Sequence, residues 1–322
     1  MQICISVRFQ ICHRLTELFP KPRDNDALRP GSVTLAAERL GEGCCLNMEA
    51  VLISGASRGI GRAATEILSQ AGYRVFAGYR KDSDRKPLAD LGAGVHPLRL
   101  DVTRDEDALE AVQAIRESGL SFRAVINNAG FAIPGPVELL PVSEYRRQFE
   151  TNYLGAIRLI QATLPLLRLY GPGARIINVS SIVGWITPPL LSAYSGSKYA
   201  MESLNDALRV ELAHAGIFTV SIQPGAIATD FSDTARREGE TLLNDRELSE
   251  LPEAYQRMAG IRSPSRKGPS SPDLVGRVIL RALTARRPRS RYFAGNDAKI
   301  VSVLKRLLSD RAWDSGLRRV MT

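Results

Sequence analysis

Val51-Leu52-Ile53-Ser54-Gly55-Ala56-Ser57-Arg58-Gly59-Ile60-Gly61 decides the fold of this chain. A short apolar run enters a turn with three glycines, and Arg62-Ala63-Ala64-Thr65-Glu66-Ile67-Leu68 beyond it has the spacing of an amphipathic helix. The pattern predicts strand, glycine turn, helix. Gly55 permits the tight turn, Gly59 lets the backbone approach a pyrophosphate, and Gly61 lets the helix pack close to the strand. The N–H groups and positive dipole end of that helix then face an anion. The same residues admit a second reading, because Gly55-Ala56-Ser57-Arg58-Gly59 matches G-x-S-x-G, the turn that presents a nucleophilic serine in hydrolases.

Strand and helix patterns alternate outward from this turn. Tyr73 to Tyr79 predicts a second strand, which ends in Arg80-Lys81. An acidic residue at that strand end would accept from the ribose 2′-OH of NAD. None is present, and Arg80 with Arg58 would instead pair with the 2′-phosphate of NADP. Val95 to Leu100 is a third strand ending at Asp101-Val102, and Thr103 with Glu106 forms a capping box before a helix with Ala108, Val112 and Ile115 on its apolar face. Ala124 to Ile126 is a fourth strand running into Asn127-Asn128-Ala129-Gly130, and Ser143 to Tyr170 is a long helical stretch that holds Asn152. Ile176 to Val179 delivers Ser180-Ser181, Tyr194 opens a helix through Leu204, Leu208 and Leu212, and Phe218 to Ile222 is the sixth strand. Pro272 to Ala285 reads as a helix, Arg291 to Ala294 as a last strand, and Ala298 to Leu308 as an amphipathic helix. The fold class is therefore α/β, a Rossmann-like, doubly wound parallel sheet of about seven strands in one domain, with ligands outside the carboxyl ends of its strands.

At 322 residues, 44% hydrophobic and 24% charged, the chain suits one large globular α/β domain. It has no run of 18 apolar residues, so no spanning helix is expected. The net charge of +9 is unevenly placed: residues 281–322 hold 11 lysines and arginines against three acids. The body is close to neutral, which argues against nucleic acid as a partner. The basic helix after residue 296 could meet an anionic membrane surface, although packing on the body or on a sister subunit of a homo-oligomer is the stronger expectation. Cys4, Cys12, Cys44 and Cys45 all precede Met48, which suits a cytoplasmic chain, and neither they nor His13, His96 and His214 have metal-ligand spacing. Residues 1–47, broken by Pro20, Pro22 and Pro30, read as a dispensable extension, the start of translation having been placed too far upstream. Residues 48–322 are then the functional domain.

Tyr194 and Lys198 are four apart, on one face of their helix. A tyrosine near its ordinary pKa of about 10 is a poor proton-transfer group, and a nearby ammonium pulls that value down. Ser181 can donate to a substrate oxygen as negative charge develops on it.

Together these residues resemble the short-chain dehydrogenase/reductase family over about residues 49–230. Ser54 to Gly61 is similar to its T-G-x-x-x-G-x-G turn, with Ser54 for Thr; Asn127 to Gly130 matches N-N-A-G; Asn152 matches the helix asparagine. Ser181 stands 13 residues before Tyr194, the family's interval, Tyr194 to Lys198 matches Y-x-x-x-K, and Pro224 to Thr229 matches P-G-x-x-x-T. The resemblance implies reversible hydride transfer between NADP(H) and a carbonyl or alcohol. Tyr194 would be the acid/base, Lys198 would orient the nicotinamide ribose, Ser181 would polarise the carbonyl, and Asn152 would hold a water. Gly55, Ser57, Arg58, Gly59, Ile60 and Gly61 would cradle the phosphates, Asp101 and Val102 would meet the adenine, and Asn128, Ala129 and Gly130 the adenosine side. Ile227 and Thr229 would meet the nicotinamide. Residues 230–272 would cover the substrate, with Trp185, Ile186, Pro188, Pro189, Leu190 and Leu191 on the other wall. The tail resembles bacterial relatives of retinol and 17β-hydroxysteroid dehydrogenases, which implies a lipophilic alcohol, ketone or aldehyde. Two rival readings are a catalytically silent NADP-binding sensor or scaffold and a serine hydrolase using Ser57.

Overall fold

The computed structural model describes residues 48–242 and 268–321. They lie in the second of two compact units, residues 46–322; the first, Met1–Cys45, lies outside the described residues, and with it the sequence-based reading of residues 1–47.

The glycine stretch folds as its pattern dictates. Strand β1, Glu49–Ile53, leads through the turn into helix α1, Gly59–Gln70. The chain then alternates: β2, Arg74–Tyr79; a short α2, Arg85–Ala89; β3, Val95–Arg99; α3, Asp105–Glu117; β4, Ser121–Asn127. Helices α4, Val142–Phe149, and α5, Gly155–Tyr170, precede β5, Arg175–Val179; α6, Ser192–Glu211, precedes β6, Phe218–Pro224. After α7, Phe231–Leu242, come α8, Pro272–Thr284, β7, Arg291–Ala294, α9, Asn296–Leu307, and α10, Asp310–Met321.

The seven strands form one all-parallel sheet in the order β3-β2-β1-β4-β5-β6-β7. Strand order reverses between β1 and β4, which opens a crevice at their carboxyl ends, the place where such sheets bind ligands. Both faces are covered, so the central strands β1, β2, β4 and β5 are largely apolar and alternate in which core they feed. Val51 and Ile53 of β1 pack with Leu68 of α1 and Val275, Ile279 and Leu283 of α8. Ala50 and Leu52 point the other way, to Ala111 and Ile115 of α3, Leu159 of α5 and Leu208 of α6. Each fully buried leucine or isoleucine contributes roughly 1.5–3 kcal/mol. Pro97 sits in β3, an edge strand, where its missing N–H removes no ladder bond from the interior.

Two local expectations fail. No capping box forms: α3 begins at Asp105, and the Thr103 hydroxyl donates instead to Asp101 Oδ1 at 2.8 Å, a local turn that competes with the cap. Asp105, Glu106 and Asp107 in the first turn complement the dipole in its place. The long helix over 143–170 is interrupted at Glu150–Leu154 by a π-helical turn, a feature often found at functional sites.

Candidate active site

The glycine turn is stapled to β4. Ser54 Oγ accepts from the N–H groups of Asn128 and Ala129, both at 3.1 Å, and Asn128 Nδ2 donates to the carbonyls of Ser54 at 3.0 Å and Gly55 at 2.9 Å. Gly55 and Gly59 take left-handed φ values of +65° and +49°, which favour glycine. A Cβ on Gly61 would stand 2.1 Å from the Gly55 carbonyl oxygen, and one on Gly59 would stand 3.0 Å from the Thr229 methyl. Ser57 and Ile60 lie half-buried in the same turn. Arg58, the N-cap of α1, gives no capping side-chain bond, and the first turn holds no acid. The leading N–H groups of α1 are thus open to an anion, and the cradle fits a dinucleotide pyrophosphate.

Arg58 and Arg80 are exposed at this edge, and among the described residues neither takes part in an ion pair. Asp101 lies just past the carboxyl end of the neighbouring strand, β3. Burial works against its carboxylate, but hydrogen bonds from Thr103 and the charges of Arg80 and Arg104 outweigh it and hold the pKa below the ordinary value. Val102 buries its side chain against Gly155, where a Cβ would come within 2.7 Å. Ile227 bridges to Ser270, and Ala226 N–H donates to Asp297 Oδ2 at 2.6 Å, so the Pro224–Thr229 turn is tied down from the C-terminal segment.

Ser181, Tyr194, Lys198 and Asn152 converge at the carboxyl ends of β4 and β5. Ser181 caps a 3-10 turn, its Oγ accepting from Val183 N–H at 3.3 Å, so its own proton is left to donate elsewhere. Tyr194 is half-buried, with Phe231 of α7 tilted over its ring at 5.6 Å. Burial pushes the Tyr194 hydroxyl up to about 12, and the hydrogen bond with Ser181 pulls it down. Lys198 Nζ lies 5.8 Å from the Tyr194 ring centre and donates to the Val179 carbonyl at 2.9 Å. Burial lowers Lys198 to about 8, against the raising effect of Glu202. The expected lowering of Tyr194 by Lys198 is not what this arrangement gives, because the ammonium is spent on a carbonyl while burial acts on the phenol. Asn152, in the π turn, accepts from Phe131 N–H and donates to Phe131 O and Ser197 Oγ. Gly130 sits over it, where a Cβ would be 3.1 Å from Asn152 Oδ1 and 3.8 Å from Lys198 Nζ.

Of the expected wall, Trp185 packs edge-on against Phe293 at 6.3 Å, and Leu190, the one non-glycine with positive φ among the described residues, accepts through its carbonyl from Gly135 N–H at 2.8 Å and so ties two loops together. Helix α7 is docked over the site: Arg147 of α4 reaches Glu238 at 2.6 Å and Leu242 packs with Ile133, Leu140 and Ala193. The remainder of the expected cover, 243–267, lies outside the described residues.

Sequence reasoning missed four supports. Ser197 links Tyr194 O to Asn152; Glu202 lies one turn beyond Lys198; Asp297 and Phe231 come from distant segments. Only Glu202 carried a sequence signal, the third member of a Tyr194, Lys198, Glu202 series at steps of four. The nucleophile reading of Ser57 fails on position. His96 lies early in β3 against Phe76, and His214 sits in the 3-10 turn that leads into the amino end of β6, whereas Ser57 follows the carboxyl end of β1. Among the described residues no group of three or more His, Cys, Asp or Glu could hold a metal.

Comparison with known proteins agrees. The short chain dehydrogenase family matches residues 49–240. The uncharacterized oxidoreductase YbbO of Escherichia coli K12 is 34% identical over 271 residues, covering 84% of this chain and 94% of that protein. A 3-ketodihydrosphingosine reductase of Bacteroides thetaiotaomicron is 31% identical, covering 76% of this chain and 87% of that one. A short chain dehydrogenase from Burkholderia cenocepacia, solved in complex with NADP, aligns with a TM-score of 0.65 at 26% identity, over 85% of this chain and 97% of its own. With a cradle fit for a pyrophosphate at the switch point of a matching sheet, this chain belongs to the short chain dehydrogenase family and is an oxidoreductase.

Proposed function

We propose that the chain interconverts a lipophilic ketone or aldehyde and its alcohol, with Tyr194 as the group that exchanges the proton. The carrying observation is the hydroxyl pair Ser181 and Tyr194 at the switch-point edge, with Lys198 one turn along the same helix. NADPH, when bound, supplies the hydride. Ser181, its Oγ already accepting from Val183, donates to the carbonyl oxygen as negative charge gathers there. Tyr194 holds its proton at neutral pH with a value near 12, and Lys198 holds its charge with a value near 8. The pair is therefore set to give a proton, the direction that reduces a carbonyl. Lys198 also orients the nicotinamide ribose. Asn152 has its amide fully engaged, so a water there rests on its main chain.

Arg80 and Arg58 select the 2′-phosphate, Asp101 and the backbone at Val102 meet the adenine, Asn128 to Gly130 line the adenosine side, and Ile227 with Thr229 the nicotinamide. The lipophilic class is supported by the apolar residues Trp185, Ile186, Leu190 and Leu191 in the segment between Ser181 and Tyr194 and by the substrate in the name of the ketodihydrosphingosine reductase relative. We read residues 1–47 as dispensable and the protein as a cytoplasmic homo-oligomer. Among the described residues no helix is long and apolar enough to cross a membrane.

Tyr194→Phe tests the reading. NADPH-dependent turnover of a panel of steroid ketones, retinal and small aldehydes falls by about 1000-fold or more, while NADPH affinity, read by fluorescence, stays within about twofold. Turnover at the wild-type rate would remove Tyr194 from the mechanism. No turnover of any carbonyl by wild-type protein that binds NADPH would favour the silent sensor.

A further inference from the structure

Helix α9 is set on the body by its narrow face. Ala298 and Ser302 are buried, and Asp297 reaches back to Ala226 N–H. The broad apolar face points outward instead: Ile300 is 60% exposed, Val303 54%, Leu304 42%, Leu307 76%, and Leu308, just past the helix end, 40%. These positions follow the i, i+3, i+4, i+7 rule, so they form one continuous stripe rather than scattered apolar residues. Of the two sequence-based expectations for this face, packing on the body is not what the chain shows, because the small side chains at Ala298 and Ser302 allow a closer approach than the leucines do.

The stripe has a basic border. Lys299 and Arg306 are exposed on one flank, Arg311 follows at the start of α10, and the charge of Lys305 is matched by Asp310 at 2.6 Å. A second copy docked isologously on the stripe would bring these same-sign borders together, which disfavours it. An apolar stripe bordered by lysine and arginine suits a surface that is negative and covers hydrocarbon. The helix is also joined to the reaction site. Arg306 lies over the Trp185 ring at 5.4 Å, Arg291 over the same ring at 5.5 Å, and Trp185 stands on the segment between Ser181 and Tyr194.

We propose that the Ile300–Leu308 stripe of α9, with Lys299, Arg306 and Arg311 around it, docks the enzyme on an anionic phospholipid surface with its substrate mouth beside the bilayer. The inference goes beyond the reaction proposed above. Vesicle binding is read without coenzyme or substrate, so a wrong substrate class would leave it standing.

The full chain is sedimented with vesicles of phosphatidylcholine alone and of phosphatidylcholine mixed with phosphatidylserine, at low and high salt. Expected is binding to the anionic vesicles that weakens with salt, and little binding to the neutral ones. Ile300→Glu with Leu307→Glu reduces anionic-vesicle binding by about tenfold or more, while the thermal midpoint and turnover of a water-soluble ketone are unchanged. Lys299→Glu with Arg311→Glu, which leaves the apolar stripe intact, reduces binding as well. Wild-type protein that stays in solution with anionic vesicles overturns the proposal, as does an Ile300→Glu, Leu307→Glu protein that binds like wild type. A double variant that sediments as a smaller assembly than wild type also overturns it, since the stripe would then join copies of this chain.

Discussion

Glu202 sets a buried carboxylate behind Lys198, where its charge opposes the effect of burial on that ammonium. It lies two helical turns beyond Tyr194 and one beyond Lys198, and its oxygens accept from Ser221 Oγ at 2.5 Å and from Arg291 Nε at 2.9 Å. Arg291 also reaches Asp206 at 2.7 Å, so the carboxylate is held from β6 and β7 together. The groups that bear on Lys198 are thus Tyr194, Glu202 and, behind them, Arg291 and Asp206. With Glu202→Gln the hydrogen bonds can persist but the negative charge is gone. Lys198 then falls below its value of about 8 and loses its proton at lower pH. The alkaline limb of the kcat/KM profile moves toward neutrality by roughly one unit, and Glu202→Asp restores much of it. An unmoved limb would make Glu202 a purely structural anchor. At the coenzyme end Arg80, which shares the proposed 2′-phosphate site with Arg58, is exposed and in no ion pair among the described residues, so its effect is simpler. Arg80→Asp removes a charge-assisted bond of roughly 1.5–3 kcal/mol to the 2′-phosphate, which lowers the preference for NADPH over NADH by about 10- to 150-fold. Wild-type protein that binds NADH more tightly would contradict the assignment.

Elements were legible where their signal is local. The seven strands, the glycine turn and the helix of Tyr194 and Lys198 follow from apolar runs, glycine spacing and a period near four, all contained within about ten residues. The π turn at Glu150–Leu154 was not legible, because its cause is tertiary: the Asn152 amide engages both the Phe131 backbone and Ser197. The same holds for the turn that carries Ile227 and Thr229. Its motif was visible at Pro224–Thr229, but its restraint is Asp297, 71 residues on, whose Oδ2 takes Ala226 N–H and whose carboxylate fills the space beside Gly225. Asp297→Ala leaves a partly buried N–H unpaired, costing about 1–3 kcal/mol. The expected result is a lower thermal midpoint together with about tenfold weaker NADPH binding, since in the reading proposed above the loosened turn meets the nicotinamide. Loss of stability with unchanged coenzyme affinity would show that Asp297 fastens α9 only.

For the whole molecule, holding an ammonium inside the body has a pH-dependent cost. Lys198 titrates near 8 in the folded protein against 10.5 in the unfolded chain. Between those values the unfolded chain binds more protons, so this group makes stability rise as pH climbs from about 8 to about 10.5, and below pH 8 its full penalty applies. The separation corresponds to about 3 kcal/mol at most. Lys198→Met removes the charge at similar volume but leaves the Val179 carbonyl without its donor, which gives back about 1–2 kcal/mol. Glu202 stays compensated, because Ser221 and Arg291 still hold it. Lys198→Met therefore abolishes most turnover yet unfolds a few degrees higher than wild type at pH 7, by about 2–4 °C per kcal/mol for a domain of this size. Thermal unfolding followed by circular dichroism from pH 7 to pH 10.5 checks this, with the advantage shrinking and then reversing as wild-type Lys198 loses its proton. A variant that unfolds below wild type already at pH 7 would mean that Lys198 stabilises the fold as well as serving the reaction.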